Sequence, residues 1–227
     1  GDRRLSACGG IAARRLRARG SRRALLRRST ISQGQRETIG VIGQSGSGKT
    51  TLLKRLIKRE RRVLTWDWRG GYDGDEISAL DALPAAAYYR KSFLVRYRPF
   101  QPDLVAEFND LARFLCRQND AVGRCRDFTF VVDEAALVTR NRNDAAGLSL
   151  LLRVTRHQRI NLWWASQRPS GLPGSFLSET RQLYAFRLEN PFDVRMLTGR
   201  FGHTDLARIP LLPDRSYLCT GSGSGER

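Results

Sequence analysis

The sequence has few of the residues that build metal centres and disulfide-rich folds. Its four cysteines, Cys8, Cys116, Cys125 and Cys219, form no C-x-x-C pair, and there are only two histidines. A zinc site is therefore not expected, and the thiols fit a reducing, cytosol-like compartment. No stretch approaches the roughly 18 consecutive apolar residues of a membrane span, so we expect a soluble protein with no integral membrane segment.

Acidic residues are also scarce relative to basic ones. The chain has 40 lysines and arginines against 22 acids, a net charge of +18, and its only lysines are Lys49, Lys54, Lys58 and Lys91. The planar guanidinium group of arginine binds phosphate through two parallel hydrogen bonds. We therefore expect a polyanionic partner, namely nucleic acid. A GC-rich coding bias would explain the preference for arginine over lysine, but not the excess of positive charge.

The two ends of the chain differ in composition from the part between them. Residues 1–36 contain eleven arginines and a single acid, with little apolar content. We interpret them as a flexible arginine-rich arm, with an organellar transit peptide as the alternative. Residues 221–227 form a second loose segment, rich in glycine and serine.

Between these ends, strand and helix patterns alternate. Short apolar runs bounded by turn residues predict strands, and apolar residues at helical spacing predict helices. Such alternation favours an α/β fold with a mostly parallel sheet and its ligand site at the carboxyl ends of the strands. The predicted strands cover residues 37–43, 62–68, 92–98, 128–134, 161–166 and 182–188, and the predicted helices cover 49–59, a segment beginning after an N-cap at Asp103, and 144–158.

The clearest motif follows the first of these strands. Residues 43–50, GQSGSGKT, satisfy G-x-x-x-x-G-K-[ST] and open a predicted helix, which is the context of a phosphate-binding P-loop. Lys49 is expected to contact the β- and γ-phosphates, and Thr50 to bind Mg²⁺. The predicted nucleotide-binding residues are Gly43, Gln44, Ser45, Gly46, Ser47, Gly48, Lys49, Thr50 and Thr51.

Two more predicted strands end in residues suited to the same chemistry. Asp133 and Glu134 end an apolar strand, as in a Walker B motif. Asp133 is then placed to hold the metal, and Glu134 to take a proton from attacking water. Gln167 ends another buried strand, where its amide can contact the γ-phosphate or orient the water. The alternatives are a preference for acids at a helix start and a polar strand end that faces solvent.

Taken together, the segments GQSGSGKT, FVVDEA and ASQRP resemble the FtsK-HerA superfamily of P-loop motors. The resemblance covers about residues 39–188. It implies a three-layer P-loop NTPase fold of the RecA/ASCE type over residues 37–220, ATP and Mg²⁺ as cofactors, and a glutamine, here Gln167, that couples hydrolysis to movement.

Within the superfamily, the chain resembles the genome-packaging ATPases of tailless, membrane-containing double-stranded DNA viruses. It has no room for the extra domains of FtsK-type relatives, and Arg156-His157 and the segment YRP match the packaging group. This resemblance implies an ATP-driven double-stranded DNA translocase that fills a preformed capsid, in the virion or host cytoplasm. Capsid or viral membrane proteins are possible partners. The alternatives are a conjugation or filamentous-phage assembly ATPase and a small-molecule P-loop kinase.

The same resemblance implies a homo-oligomer, a hexameric ring, in which an arginine from the neighbouring subunit completes each ATP site. Arg153 and Arg156 lie outside the apolar stripe of the helix over residues 144–158. We favour Arg156 over Arg153 and Arg181 for this role. The alternative is that they are ordinary solvated arginines, since charged helix faces are common.

Two further expectations concern DNA. Arg140 and Arg142, just after the Walker B segment, are candidates for contacts with DNA phosphates in the channel of the ring. Trp66, Trp68, Trp163 and Trp164 are expected in the core rather than in base stacking, because they lie within predicted strands.

Overall fold

A single sheet organises the computed structural model, which describes residues 14–15, 37–88, 90–121, 127–139, 146–154 and 160–220. Within these ranges the sheet has nine strands. They are β1 (Arg14–Arg15), β2 (Thr38–Ile42), β3 (Arg62–Trp66), β4 (Asp75–Ile77), β5 (Phe93–Tyr97), β6 (Phe128–Val132), β7 (Ile160–Ser166), β8 (Gln182–Phe186) and β9 (Ser216–Thr220).

The strand order across the sheet is β1-β9-β8-β2-β7-β6-β3-β5-β4. All neighbours from β8 to β4 pair in parallel, whereas β9 runs antiparallel to both β8 and β1. The prediction of an α/β fold with a mostly parallel sheet is therefore confirmed. Strand β7, which precedes Gln167, lies between the P-loop strand β2 and the Walker B strand β6, so the three predicted site segments end on adjacent strands.

Helices cover the sheet on both faces. On one face, helix α1 (Lys49–Ile57) buries Leu52, Leu53 and Ile57 against the sheet, and burying each such side chain stabilises the fold by roughly 1.5–3 kcal/mol. The other face packs against α2 (Leu104–Ala121), α3 (Ala146–Val154), α4 (Gly174–Glu179), α5 (Pro191–Met196) and α6 (His203–Leu206).

The central strands are buried along their whole length. Every residue of β2, β3 and β6 is buried, as expected for parallel strands covered on both faces. Trp163 and Trp164 belong to the clusters on opposite faces, and Gly40 leaves room for Trp164, because a Cβ there would lie 2.5 Å from its ring.

The prediction that all four tryptophans lie in the core is wrong for Trp68. Trp66, Trp163 and Trp164 are at most 4% exposed. Trp68 is only half-buried, because β3 ends at Trp66 and the chain turns away from the sheet. The pattern of alternating aromatic residues extended the predicted strand by two residues that belong to a loop.

The longer elements follow their sequence signals closely. Asp103 caps α2 as predicted, since its Oδ1 accepts hydrogen bonds from the amides of Val105 (3.1 Å) and Ala106 (3.0 Å). Leu148, Leu151 and Leu152 of α3 are buried, as predicted, while Arg153 is exposed. Strands β1, β4 and β9 and helices α4 to α6 were not predicted from the sequence. All of these except β9 are too short to show a clear period.

Three predicted functional arginines, Arg140, Arg142 and Arg156, lie outside the described residues. Their proposed roles stay predictions. Among the described helices, none combines the length and the apolar character needed to cross a membrane.

Candidate active site

The predicted P-loop connects β2 to α1. Gly46 and Gly48 have φ angles of 76° and 107°, in a region that side chains with a Cβ rarely adopt. These turns expose backbone amides next to the positive end of the α1 dipole, an arrangement that binds anions. The loop is tied to its neighbours by Gly43 N, which donates to Ser166 O (3.3 Å), and Gln44 N, which donates to Arg187 O (3.4 Å).

Lys49 is held inside this loop. Its Nζ donates to the carbonyl oxygens of Gly43 (2.7 Å) and Gln44 (3.0 Å). Because an ammonium group has three donors, one remains for a phosphate oxygen. Burial lowers the pKa of Lys49, and the nearby charges of Glu134 and Asp133 oppose that shift.

Asp133 lies next to Thr50. The hydroxyl of Thr50 donates to Asp133 Oδ2 at 3.2 Å. Burial raises the pKa of Asp133, and the hydrogen bond from Thr50 counters this by favouring the ionised form. A hydroxyl and a carboxylate at this distance are oxygen ligands of the kind that Mg²⁺ prefers, so the pair fits the predicted metal.

Glu134 is held by the loop that follows β7. Its Oε1 accepts hydrogen bonds from Gln167 N (3.1 Å) and from the hydroxyl of Ser166 (3.5 Å). Its backbone has a φ angle of 58°, which is uncommon for a non-glycine residue and turns the chain sharply after β6.

These groups surround one cavity of about 210 Å³ at the carboxyl edge of the parallel strands. Of the predicted P-loop residues, Gly43, Gln44 and Ser47 are not part of its lining. The roles assigned to the lining residues remain predictions, but their convergence is a property of the structure. The cavity is lined by Ser45, Gly46, Gly48, Lys49, Thr50, Thr51, Trp68, Arg69, Asp133, Glu134 and Gln167.

The loop after β3 contributes Trp68 and Arg69 to the cavity lining, which was not predicted from the sequence. Asp67 is 1% exposed, and its carboxylate accepts hydrogen bonds from Gly71 N (2.9 Å) and Tyr72 N (2.8 Å). This clamp holds Trp68 and Arg69 at the cavity. The available signal was an aspartate directly after a buried strand, the same pattern that identified Asp133.

Tyr72, in the same loop, is buried close to Asp133 and Thr50. It is 5% exposed, and its hydroxyl forms no hydrogen bond of normal geometry within the described residues. Burial raises the pKa of Tyr72, and the charge of Asp133 raises it further. The phenol is therefore a neutral group beside Asp133.

The loop after β7 is anchored on its other side. Nε of Arg168 contacts Oδ2 of Asp193, on α5, at 2.8 Å, and the Asp193 side chain is only 2% exposed. This ion pair connects the residue that follows Gln167 to the helical layer.

A larger cavity of about 600 Å³ lies at the opposite edge of the sheet. Its lining includes Arg59, Arg61, Lys91, Asp127 and Asn161. It contains none of the predicted site residues, and its mixed charges form no motif that the sequence analysis identified. The residues predicted to bind phosphate thus line the smaller of these two cavities.

The parallel sheet and the convergence of a P-loop, an Asp-Glu pair and a strand-terminal glutamine on one cavity define an α/β fold like that of P-loop ATPases of known structure. No family model and no curated protein matches the sequence. Solved structures supply the comparisons.

The genome-packaging NTPase B204 from Sulfolobus turreted icosahedral virus 2, solved with AMPPCP, superposes with a TM-score of 0.67 at 17% identity. The alignment covers 84% of this chain and 95% of that chain. VirB4 of Thermoanaerobacter pseudethanolicus gives a TM-score of 0.64 at 11% identity, over 82% of this chain and 87% of that one. At these identities the likeness establishes the fold.

Proposed function

We propose that this protein hydrolyses ATP and uses the energy to move double-stranded DNA, packaging a viral genome into a preformed capsid. The observation that carries the ATPase part is the single cavity lined by Lys49, Thr50, Asp133, Glu134 and Gln167. Structures of B204 with AMPPCP and with AMP support nucleotide binding by this fold.

In this proposal each group of residues at the cavity has a separate chemical role. The P-loop amides and Lys49 bind the phosphates, and Thr50 and Asp133 hold Mg²⁺, which neutralises charge on the β- and γ-phosphates. Glu134 accepts the proton of the attacking water. The amide of Gln167 contacts the γ-phosphate or orients that water, which makes the β7 loop sensitive to the state of the nucleotide.

The groups at the cavity favour hydrolysis over phosphoryl transfer to a metabolite. A kinase needs a pocket for its second substrate beside the γ-phosphate. The larger cavity lies at the other edge of the sheet, and the phosphate cavity is lined by P-loop, acidic and amide groups. Glu134 next to Asp133 supplies the base that hydrolysis requires.

The DNA part of the proposal depends on charge and on the comparisons. The net charge of +18 supports a polyanionic partner, and a motor that accepts every sequence contacts the phosphate backbone. We propose Arg140 and Arg142 for such contacts, within a homo-oligomeric ring in which Arg156 of one subunit reaches the ATP of the next. The likeness to B204, a genome-packaging NTPase, supports packaging. An ATPase for conjugation or filamentous-phage assembly is the alternative.

The proposal is tested by measuring ATP hydrolysis with and without long double-stranded DNA, for the wild type and Lys49→Ala. We expect hydrolysis that DNA stimulates, that falls steeply as salt increases, and that is absent in Lys49→Ala. Displacement of a third strand from a triplex on linear DNA measures movement directly. ATP hydrolysis indifferent to DNA, with no triplex displacement, contradicts the motor; equal rates for wild type and Lys49→Ala contradict the ATPase.

A further inference from the structure

Arg69 is a cation at the phosphate cavity for which the P-loop and Walker B motifs give no role. It lines the cavity together with Lys49, Asp133, Glu134 and Gln167. It is close enough to Lys49 that its charge contributes to the lowered pKa of that lysine. The cavity therefore holds two cations from the same chain.

Within the described part of the chain, Arg69 forms no ion pair, unlike other arginines nearby. Arg96 and Arg98, on and just after the adjacent strand β5, both pair with Glu76, at 2.8 Å and 3.7 Å. The acid closest in sequence to Arg69 is Asp67, whose two carboxylate oxygens are occupied by backbone amides. The Arg69 guanidinium group thus lines the predicted phosphate-binding cavity and forms no ion pair with a carboxylate in the described residues.

The loop presents this side chain in a defined direction. The Arg69 guanidinium carbon lies 4.5 Å from the centre of the Trp68 ring, a cation–π contact that leaves the N–H donors in the plane of the group available. The Asp67 clamp fixes the loop that carries both residues. A preorganised donor of this kind loses little conformational entropy when it binds an anion.

The position of Arg69 relative to Lys49 indicates which phosphate it reaches. Arg69 lines the same cavity as the P-loop residues Gly48, Lys49 and Thr50, and it lies close enough to Lys49 to act on its pKa. Lys49 is expected to contact the β- and γ-phosphates. A second cation beside it is therefore within reach of the terminal phosphate.

We propose that Arg69 is a catalytic residue that binds the terminal phosphate of ATP from within the same subunit; this inference rests on the proposed ATPase function. In the reaction, the water oxygen attacks the γ-phosphorus, its proton passes to Glu134, and the bond from that phosphorus to the ADP oxygen breaks. Arg69 forms no covalent bond. It stabilises the negative charge on the γ-phosphoryl oxygens in the transition state.

The test compares the variants Arg69→Gln and Arg69→Lys with Arg113→Gln, a control that removes an exposed arginine from the outer side of α2. We expect Arg69→Gln to lower kcat by roughly 10²-fold, while KM for ATP changes less than about 3-fold and the melting temperature is unchanged. Arg69→Lys keeps the charge and recovers part of the rate. Arg113→Gln matches the wild type.

Two results overturn the inference. One is an Arg69→Gln enzyme with wild-type kcat, and the other is a parallel loss of kcat, ATP affinity and melting temperature, which indicates a structural role. Failure of the proposed ATPase function can be distinguished from failure of this inference. In the first case the wild type hydrolyses ATP no faster than Lys49→Ala. If the wild type hydrolyses ATP and Arg69→Gln does so at the same rate, the proposed ATPase function is retained and the proposed role of Arg69 is wrong.

Discussion

The loops that follow β7 and β3, the two neighbours of the Walker B strand, each lie beside one of its two acids. They interact with these acids in different ways. The β7 loop, residues 166–168, binds the carboxylate of Glu134 through the amide of Gln167 and the hydroxyl of Ser166. The β3 loop, residues 67–72, places the phenol of Tyr72 beside Asp133 without a hydrogen bond of normal geometry. One loop therefore constrains the proposed general base, and the other adjusts the charge of the proposed metal ligand.

The loops also differ in what lies behind them. The β7 loop continues into Arg168, which pairs with Asp193 on α5, so the residue after Gln167 is tied to the helical layer. The β3 loop is closed on itself by the Asp67 clamp. We infer that the β7 loop is suited to report the state of the nucleotide, whereas the β3 loop is a fixed part of the site.

The largest effect is expected from removing the acid that the β7 loop holds. Glu134→Gln keeps an oxygen that accepts the Gln167 hydrogen bond but cannot take a proton. We expect kcat to fall by roughly 10³-fold with ATP binding retained, measured by steady-state hydrolysis and by binding of a fluorescent ATP analogue. Glu189→Gln, which removes an exposed acid paired with Arg187, is the control. A Glu134→Gln enzyme within about 3-fold of the wild-type rate would rule out the base role.

The next largest effect is expected from removing the side chain of Gln167 while its backbone N–H group stays in place. Gln167→Ala removes the amide but keeps the N–H group that binds Glu134. We expect kcat to fall by about 10²-fold and the stimulation by DNA to be lost, while ATP binding remains. If Gln167→Ala hydrolyses ATP normally and is still stimulated by DNA, the β7 loop is a structural element and the contrast between the loops disappears.

A smaller loss of activity is expected from releasing the β3 loop. Asp67→Ala removes the acceptor of two amide hydrogen bonds, one buried and one partly buried, which lowers the free energy of unfolding by about 3 kcal/mol. Chemical denaturation measures this change. We expect kcat to fall about 10-fold because Trp68 and Arg69 lose their fixed position. Wild-type stability in Asp67→Ala contradicts the clamp.

The two loops also differ in how well their site residues could be predicted from the sequence. Strand β7 is followed by a lone amide and then by Arg168-Pro169, and a proline cannot continue the ladder, so Gln167 is visible as a strand-terminal polar residue. Trp68 follows β3 with the spacing of a strand residue, and the period-2 pattern hides the turn. The role of Asp67 depends on backbone amides four and five residues later, which no residue type specifies.

The smallest effect concerns the pKa of Asp133 and tests the buried tyrosine of the β3 loop, Tyr72. Burial raises the pKa of Asp133, and the nearby Tyr72 hydroxyl is the smallest of the groups that lower it, after the hydrogen bond from Thr50 and the charge of Lys49. Removing this hydroxyl in Tyr72→Phe therefore raises that pKa. Because Asp133 must be ionised to hold Mg²⁺, activity disappears as the pH falls through this pKa, and the acidic limb of the pH profile of kcat/KM moves to higher pH.

The matched control for this change is Tyr184→Phe, which alters a tyrosine in the same apolar cluster, on β8 and outside the cavity lining. We expect Tyr72→Phe, but not Tyr184→Phe, to shift the acidic limb and to require more Mg²⁺ at the acidic end, with the plateau kcat within about 2-fold of the wild type. Equal pH profiles for the two variants would separate the Tyr72 hydroxyl from Asp133. In that case the two loops would differ only in how they are attached, and the pKa of Asp133 would be set by burial, the Thr50 hydrogen bond and the charges of Glu134 and Lys49.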